Sequence, residues 1–160
     1  IIYRKSLIYD VKTYDGENIP YPENSFSVVF SSNVFEHILN IKNILNEISR
    51  VTKKDSKIIL LMPSPSWRFW TSLTDILRNW HTRTHGVHSR NIIKEFFFFS
   101  RKSWINNLRH KDLKLELIVP NNIFYTGNYI MGKRLTIKVR KYLSKVLGSS
   151  CNIYILRKIK

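Results

Sequence analysis

The sequence predicts an α/β fold built on parallel strands, and three stretches carry that prediction. Phe26–Phe30 is a short, nearly continuous apolar run, the pattern of a strand buried on both faces. Ile38, Ile41, Ile44, Leu45, Ile48 and Val51 then recur at helical spacing. Lys57–Met62 is a second apolar run, closed by Pro63-Ser64-Pro65. Strand, helix and strand in this order form one right-handed crossover unit.

The elements follow in chain order. Leu7, Tyr9, Val11 and Thr13 alternate with their neighbours as a strand does, and Tyr14-Asp15-Gly16-Glu17 ends it. Pro20 and Pro22 forbid a regular ladder before Phe26. Ser31-Ser32-Asn33 places small polar side chains at the carboxyl end of a strand, where open α/β sheets bind ligands. Asn40 is the expected N-cap of the first helix, with Arg50, Lys53 and Lys54 near its C-terminal end.

Residues 66–88 form an expected helical insertion. Phe69, Trp70, Leu73, Ile76, Leu77 and Trp80 make one stripe, with Trp67 just before it and Arg68, Arg78 and Arg83 beside it. Such a stripe either covers a pocket as a lid or packs on the core. His81, His85 and His88 follow, but no cysteine or carboxylate joins them, so no metal is expected. Ser89–Phe99 and Ser100–His110 read as helices opened by serine caps, with Trp104 and Leu108 facing inward and Phe96–Phe99 in the core. Leu113–Val119 and Asn152–Arg157 read as strands. Between them, within residues 128–148, lies a basic amphipathic helix over 133–147. Its stripe is Leu135, Val139, Tyr142, Leu143 and Val146, against Lys133, Arg134, Lys138, Arg140, Lys141 and Lys145.

With 160 residues, 43% of them hydrophobic, the chain has the size and composition of a single globular domain. No apolar run is long enough to span a membrane. The single cysteine, Cys151, excludes an intrachain disulfide, and no export signal is visible, which makes the cytoplasm the expected compartment. A net charge of +16 either attracts anionic surfaces, whether lipid, acidic glycan or nucleic acid, or is a solvated basic surface. The sequence favours the second reading, which follows from a composition rich in Lys, Ile and Asn. No recognised nucleic-acid motif accompanies that charge, which argues against DNA or RNA as the partner.

The run Asp15, Ile19-Pro20-Tyr21-Pro22, Phe26-Ser27-Val28-Val29, Glu36-His37, Arg50-Val51 and Ile58–Met62 resembles, in order, the class I, Rossmann-like methyltransferases of the type 11 group. It departs from them at Ser27, where the group usually has Asp, and at Lys54-Asp55-Ser56, where it usually has Pro-Gly-Gly. The resemblance implies a partial Rossmann-like fold: a mostly parallel sheet, an antiparallel C-terminal strand pair and helical insertions. It implies S-adenosylmethionine as cofactor. Asp15 would accept from the adenine amino group, the amide of Gly16 would meet the adjacent ring nitrogen, and Ser31, Ser32, Asn33 and Val34 would line the methionine and methyl side. His37, His85 and His88 would border the acceptor pocket, with His85 a candidate base and Glu36 a complement to the helix start.

The group's glycine-rich cofactor loop has no counterpart here, because no two of the five glycines form a G-x-G. Residues 1–160 are therefore expected to form a single, N-terminally incomplete domain. The strand at Phe26 is expected to have an unpaired edge, and the chain by itself to bind S-adenosylmethionine weakly. The expected activity is methyl transfer to a small-molecule or glycan acceptor, with peripheral contact to an anionic membrane. The competing expectation is a non-catalytic basic module that binds an anionic membrane or nucleic acid.

Overall fold

The computed structural model describes residues 12–126 and 135–160. Almost all of the strand expected over 7–13, and Lys133 and Arg134 of the basic helix, lie outside the described residues. Strand β1 (Phe26–Ser32) leads through a 3-10 turn (Phe35–His37) into helix α1 (Ile41–Val51) and strand β2 (Thr52–Pro63). Helices α2 (Pro65–Asn79), α3 (Ile92–Phe98) and α4 (Arg101–Asn107) precede strand β3 (Leu113–Pro120). Helix α5 (Ile137–Leu147) and strand β4 (Cys151–Lys158) complete the order.

Among the described residues the sheet order is β1-β2-β4-β3, with β1 parallel to β2 and β4 antiparallel to both of its neighbours. The expected crossover unit and antiparallel C-terminal pair are both present. The Asn40 side chain accepts from the Asn43 amide and starts α1 as expected. Glu47 and Arg50 then tie α1 to the segment before β1. Arg50 donates to both Glu47 oxygens and to the carbonyls of Ile19 and Tyr21, while Glu47 accepts from the Ile19 amide at 2.8 Å.

The core lies on one face of the sheet. Ile58, Leu60 and Met62 of β2 and Tyr154 and Leu156 of β4 pack with Ile44, Leu45 and Ile48 of α1 and Trp104 of α4. The sequence expected β1 to be buried on both faces, and this is corrected. Val29 packs on the core, but Val28 and Phe30 are 54% and 66% exposed. Register explains the split. Phe30 stands opposite Ile59, Ile59 opposite Ile155, and Ile155 opposite Leu117, a row on the face away from the helical core. Within the described sheet β1 is also an edge strand, so its outer side has no neighbouring strand.

One cap and one helix face also differ from expectation. Asn91, rather than Ser89, caps α3 and accepts from the amides of Ile93 and Lys94, while Ser89 instead accepts from the Asn91 amide. Ser100 caps α4 as expected. Helix α5 turns Arg140, Leu143, Ser144 and Leu147 inward, and leaves Val139, Tyr142 and Val146 exposed beside Lys138, Lys141 and Lys145. Polar anchors set this rotation. Arg140 donates to the carbonyls of Leu135 and Phe124, and the Leu147 carbonyl accepts from Ser66 Oγ and Trp70 Nε1. Gly148, at φ +87°, brings the chain so close that a Cβ there would lie 2.5 Å from Ser66 Oγ.

Helix α2 is held by a charge. Phe69, Ile76 and Leu77 of its apolar stripe and Trp80 at its C-cap are exposed, Trp70 and Leu73 are partly buried, and its fully buried long side chain is Arg68. Arg68 Nε lies 3.3 Å from Glu95 Oε2 of α3, both side chains 2% exposed. Arg68 also donates to Thr82 Oγ1 and the Arg83 carbonyl at 2.9 Å each. Glu95 Oε1 accepts from the amides of His85 and Gly86 at 2.7 Å each. Burial lowers the Arg68 pKa below its usual value, opposed by Glu95 and Asp75. Removing one partner leaves a bare buried charge, so Glu95→Leu should destabilise the fold by about 3–5 kcal/mol in urea denaturation. The neighbouring exposed Lys94→Ala should change stability by less than about 0.5 kcal/mol. A Glu95→Leu loss as small as that of Lys94→Ala would show that the pair is dispensable.

Candidate active site

The carboxyl ends of β1 and β2 open onto a cavity of about 600 Å³, lined among others by Asn33, Glu36, His37, Trp67, His85 and Tyr125. Asn33 follows β1 directly. Its φ of 51° turns the chain out of the strand, and its amide donates to the Leu61 carbonyl at the end of β2. Asn33 Oδ1 accepts from Cys151 Sγ at 3.5 Å, which closes the cavity against the start of β4. Burial pushes the Cys151 thiol up to about 11 and keeps it a neutral donor.

The 3-10 turn after Asn33 sets Glu36 into the cavity wall. Its side chain is 1% exposed, and neither carboxylate oxygen has a hydrogen-bond partner among the described residues. Glu36 does stand in the first turn of the 3-10 helix, as its place near a helix start suggested, but its carboxylate makes no capping hydrogen bond and is buried in the cavity wall. The loop from His81 to His88 lies over it. The Val87 amide donates to the Glu36 carbonyl at 2.9 Å, and a Cβ on Gly86 would sit 2.6 Å from the same oxygen. Only glycine allows that approach without displacing the loop. The contact places His85 Nε2 3.8 Å from Glu36 Oε1, with His37 Nε2 at 3.9 Å from the same atom. The His85 ring lies edge-on to both His37 and Trp67, with centroids 4.8 Å away in each case.

Of the residues expected at the site, Asn33, His37 and His85 come together around the cavity. His88 does not line it. Its ring stacks on Phe98 with centroids 4.3 Å apart, and its Nε2 lies 3.3 Å from the Phe35 carbonyl. Ser31 is partly buried, and Ser32 and Val34 are exposed, all beside the end of β1. Asp15 and Gly16 form an exposed turn away from the cavity lining. Asp15 Oδ1 accepts from the amides of Glu17 and Asn18, and Oδ2 from the Asn18 side chain. Those bonds, the Asn18 amide foremost, lower its pKa to about 2.

Sequence reasoning missed Trp67, Tyr125, Arg140 and Cys151 as cavity residues. Trp67 was legible as an aromatic just ahead of the α2 stripe. Arg140 was legible only as surface charge, because its anchoring to Phe124 and its cation–π contact with Tyr125 are long-range.

A methyltransferase domain family model, of the type 11 group, matches residues 3–60. No curated protein sequence gives a significant match. Solved structures overlay on nearly the whole chain at low identity. One belongs to the complex between the Haloferax volcanii Trm112 methyltransferase activator and a proposed methyltransferase. It shows 10% identity and a TM-score of 0.56, over 92% of this chain and 60% of that one. An S-adenosylmethionine-dependent methyltransferase from Mesorhizobium loti shows 12% identity and a TM-score of 0.53, over 91% of this chain and 67% of that one. One from Aquifex aeolicus shows 12% identity and a TM-score of 0.52, over 92% of this chain and 54% of that one. The chain thus spans between about half and two thirds of the structures it resembles. Its architecture is a partial class I, Rossmann-like methyltransferase fold.

Proposed function

We propose that this chain forms the acceptor side of an S-adenosylmethionine-dependent methyltransferase. The observation that carries the proposal is the cavity at the carboxyl ends of β1 and β2, set in a methyltransferase fold. The exposed Ser32 and Val34 leave open space beside the end of the edge strand, which fits the methionine side of the cofactor. S-adenosylmethionine, when bound, supplies a methyl group already activated by its sulfonium. The chain's own residues then have to hold and align an acceptor. Trp67 and Tyr125 offer aromatic walls, and Asn33 and Arg140 offer polar ones. Such a lining suits a ring-bearing small molecule or a sugar.

S-adenosylhomocysteine, titrated into the product of the complete reading frame and followed by amide NMR, tests the proposal. Shifts should centre on Asp15, Gly16 and Ser31–Val34, with the far end of β4 near Lys158 unmoved. Shifts confined to other surfaces, or none at millimolar ligand, would overturn it.

We also infer that the acceptor is met at an anionic membrane surface. The exposed apolar groups of α2 (Phe69, Ile76, Leu77 and Trp80) and of α5 (Ile137, Tyr142 and Val146) carry this reading, together with the three exposed lysines of α5. No helix among the described residues is long and apolar enough to cross a membrane, so the contact is peripheral. Each lysine near an anionic bilayer contributes about 1 kcal/mol, screened by salt. Lys138→Glu with Lys141→Glu should therefore weaken sedimentation with phosphatidylserine vesicles at low salt by at least about tenfold. Unchanged sedimentation would leave α5 as scaffold.

A further inference from the structure

The Glu36 carboxylate has no part in holding the fold that its contacts reveal. It is buried to 1% exposure, and both of its oxygens lack a hydrogen-bond partner among the described residues. A bare buried carboxylate is strongly disfavoured unless it is hydrogen-bonded, neutralised by a proton or met by a cation. Two groups face it, His37 Nε2 and His85 Nε2, at 3.9 and 3.8 Å from Oε1. Both distances exceed a hydrogen bond. One ligand atom from each of the three residues lies within 4.8 Å of the others.

We propose that Glu36, His37 and His85 bind one divalent transition-metal ion, of the zinc or iron(II) class, in the wall of the cavity. Two imidazoles and one carboxylate form the ligand set such ions take when they keep open positions, and nitrogen ligands select against magnesium and calcium. Around a four-coordinate ion with bonds of about 2.1 Å, neighbouring ligand atoms sit about 3.4 Å apart, so the three groups must close inward. Burial fixes Glu36. The rings of His37 and His85, 44% and 40% exposed, are the parts able to move.

Their backbones are already held. The His37 amide donates to the Val34 carbonyl at 2.9 Å, and the His85 amide to Glu95 at 2.7 Å. Among the histidines of this loop, His88 is committed to Phe98 and the Phe35 carbonyl. In this proposal His85 serves as a ligand rather than as a base. All three residues line the cavity, so an ion held by them would meet an acceptor oxygen there and lower its pKa. That use rests on the methyl-transfer reading, whereas the binding of the ion does not.

The test is cobalt(II) titrated into the metal-free protein, followed by visible absorption and by displacement with zinc. One equivalent should bind. Glu36→Gln and His85→Gln should each weaken binding on the order of 100-fold, a loss at the upper end of that seen when even outer-shell partners are removed. His81→Gln should leave it unchanged. Glu36→Gln is isosteric, and His85→Gln alters a half-exposed side chain, so either keeps the test valid if the other fails to fold. Absence of binding at millimolar cobalt, or affinity in both variants equal to that of the unaltered protein, would overturn the site. S-adenosylhomocysteine shifts at Ser31–Val34 would still appear in that case, which separates failure of the metal site from failure of the methyl-transfer reading.

Discussion

The buried pair of Arg68 and Glu95 is the constraint on which the arrangement of the cavity depends. Each charge is costly to remove from water, and the pair is worth retaining only because both ends are put to further use. Arg68 carries two hydrogen bonds into the segment after α2, at Thr82 and Arg83. Glu95 gathers the amides of His85 and Gly86. A loop of polar and small residues, with little apolar surface to bury, thus acquires a defined path across the end of the sheet. The path ends at Glu36, where the Val87 amide and the close approach of Gly86 lock it to the 3-10 turn. Helix α2, the loop, α3 and the residues after β1 are one mechanical unit.

This unit was the part of the fold least legible in the sequence. The helical stripe from Phe69 to Trp80 was visible, but its periodicity says only that the helix has an apolar face. In the structure Phe69, Ile76, Leu77 and Trp80 are exposed while Trp70 and Leu73 are partly buried. The inward side of α2 carries Trp67 against the core and Arg68 fully buried, and composition reads that arginine as surface charge. Glu95 likewise sits among phenylalanines and lysine without a local signal of burial. Nothing local connects two charges 27 positions apart. By contrast, β1, α1 and β2 were legible because each is fixed by short-range pattern: an apolar run, a stripe capped by Asn40, and a second apolar run. The error at β1 has the same origin. An apolar run states that a strand is suited to burial, and the cover for its second face must come from elsewhere in the chain.

The site was legible to the extent that topology determines it. Small polar residues at the end of β1 pointed to this end of the sheet, and Asn33 lines the cavity, where its left-handed turn joins β1 to the end of β2. His37 and His85 were singled out separately, one for its place after β1 and one for its loop, and the fold brings them within one ring's width. For Glu36 the sequence showed only its place near a helix start, which is a common structural use for a carboxylate, and gave no sign of its burial in the cavity wall. The distinguishing fact is that α1 already has its cap in Asn40, which leaves Glu36 without one. The α5 lysines and exposed apolar groups show a further limit. A helical stripe predicts amphipathicity, but the anchors at Arg140 and Leu147 decide which side faces water.

The most direct test of this account is amide hydrogen exchange on the Arg68→Met protein, compared with the unaltered chain. If the buried pair sets the loop, the amides of His85, Gly86 and Val87 should be protected in the unaltered chain. In Arg68→Met they should lose that protection, while those of Leu60 and Leu156 in the sheet keep theirs. Equal protection of the three loop amides in both proteins would contradict it, because the loop would then hold its path over Glu36 without the charge beneath it.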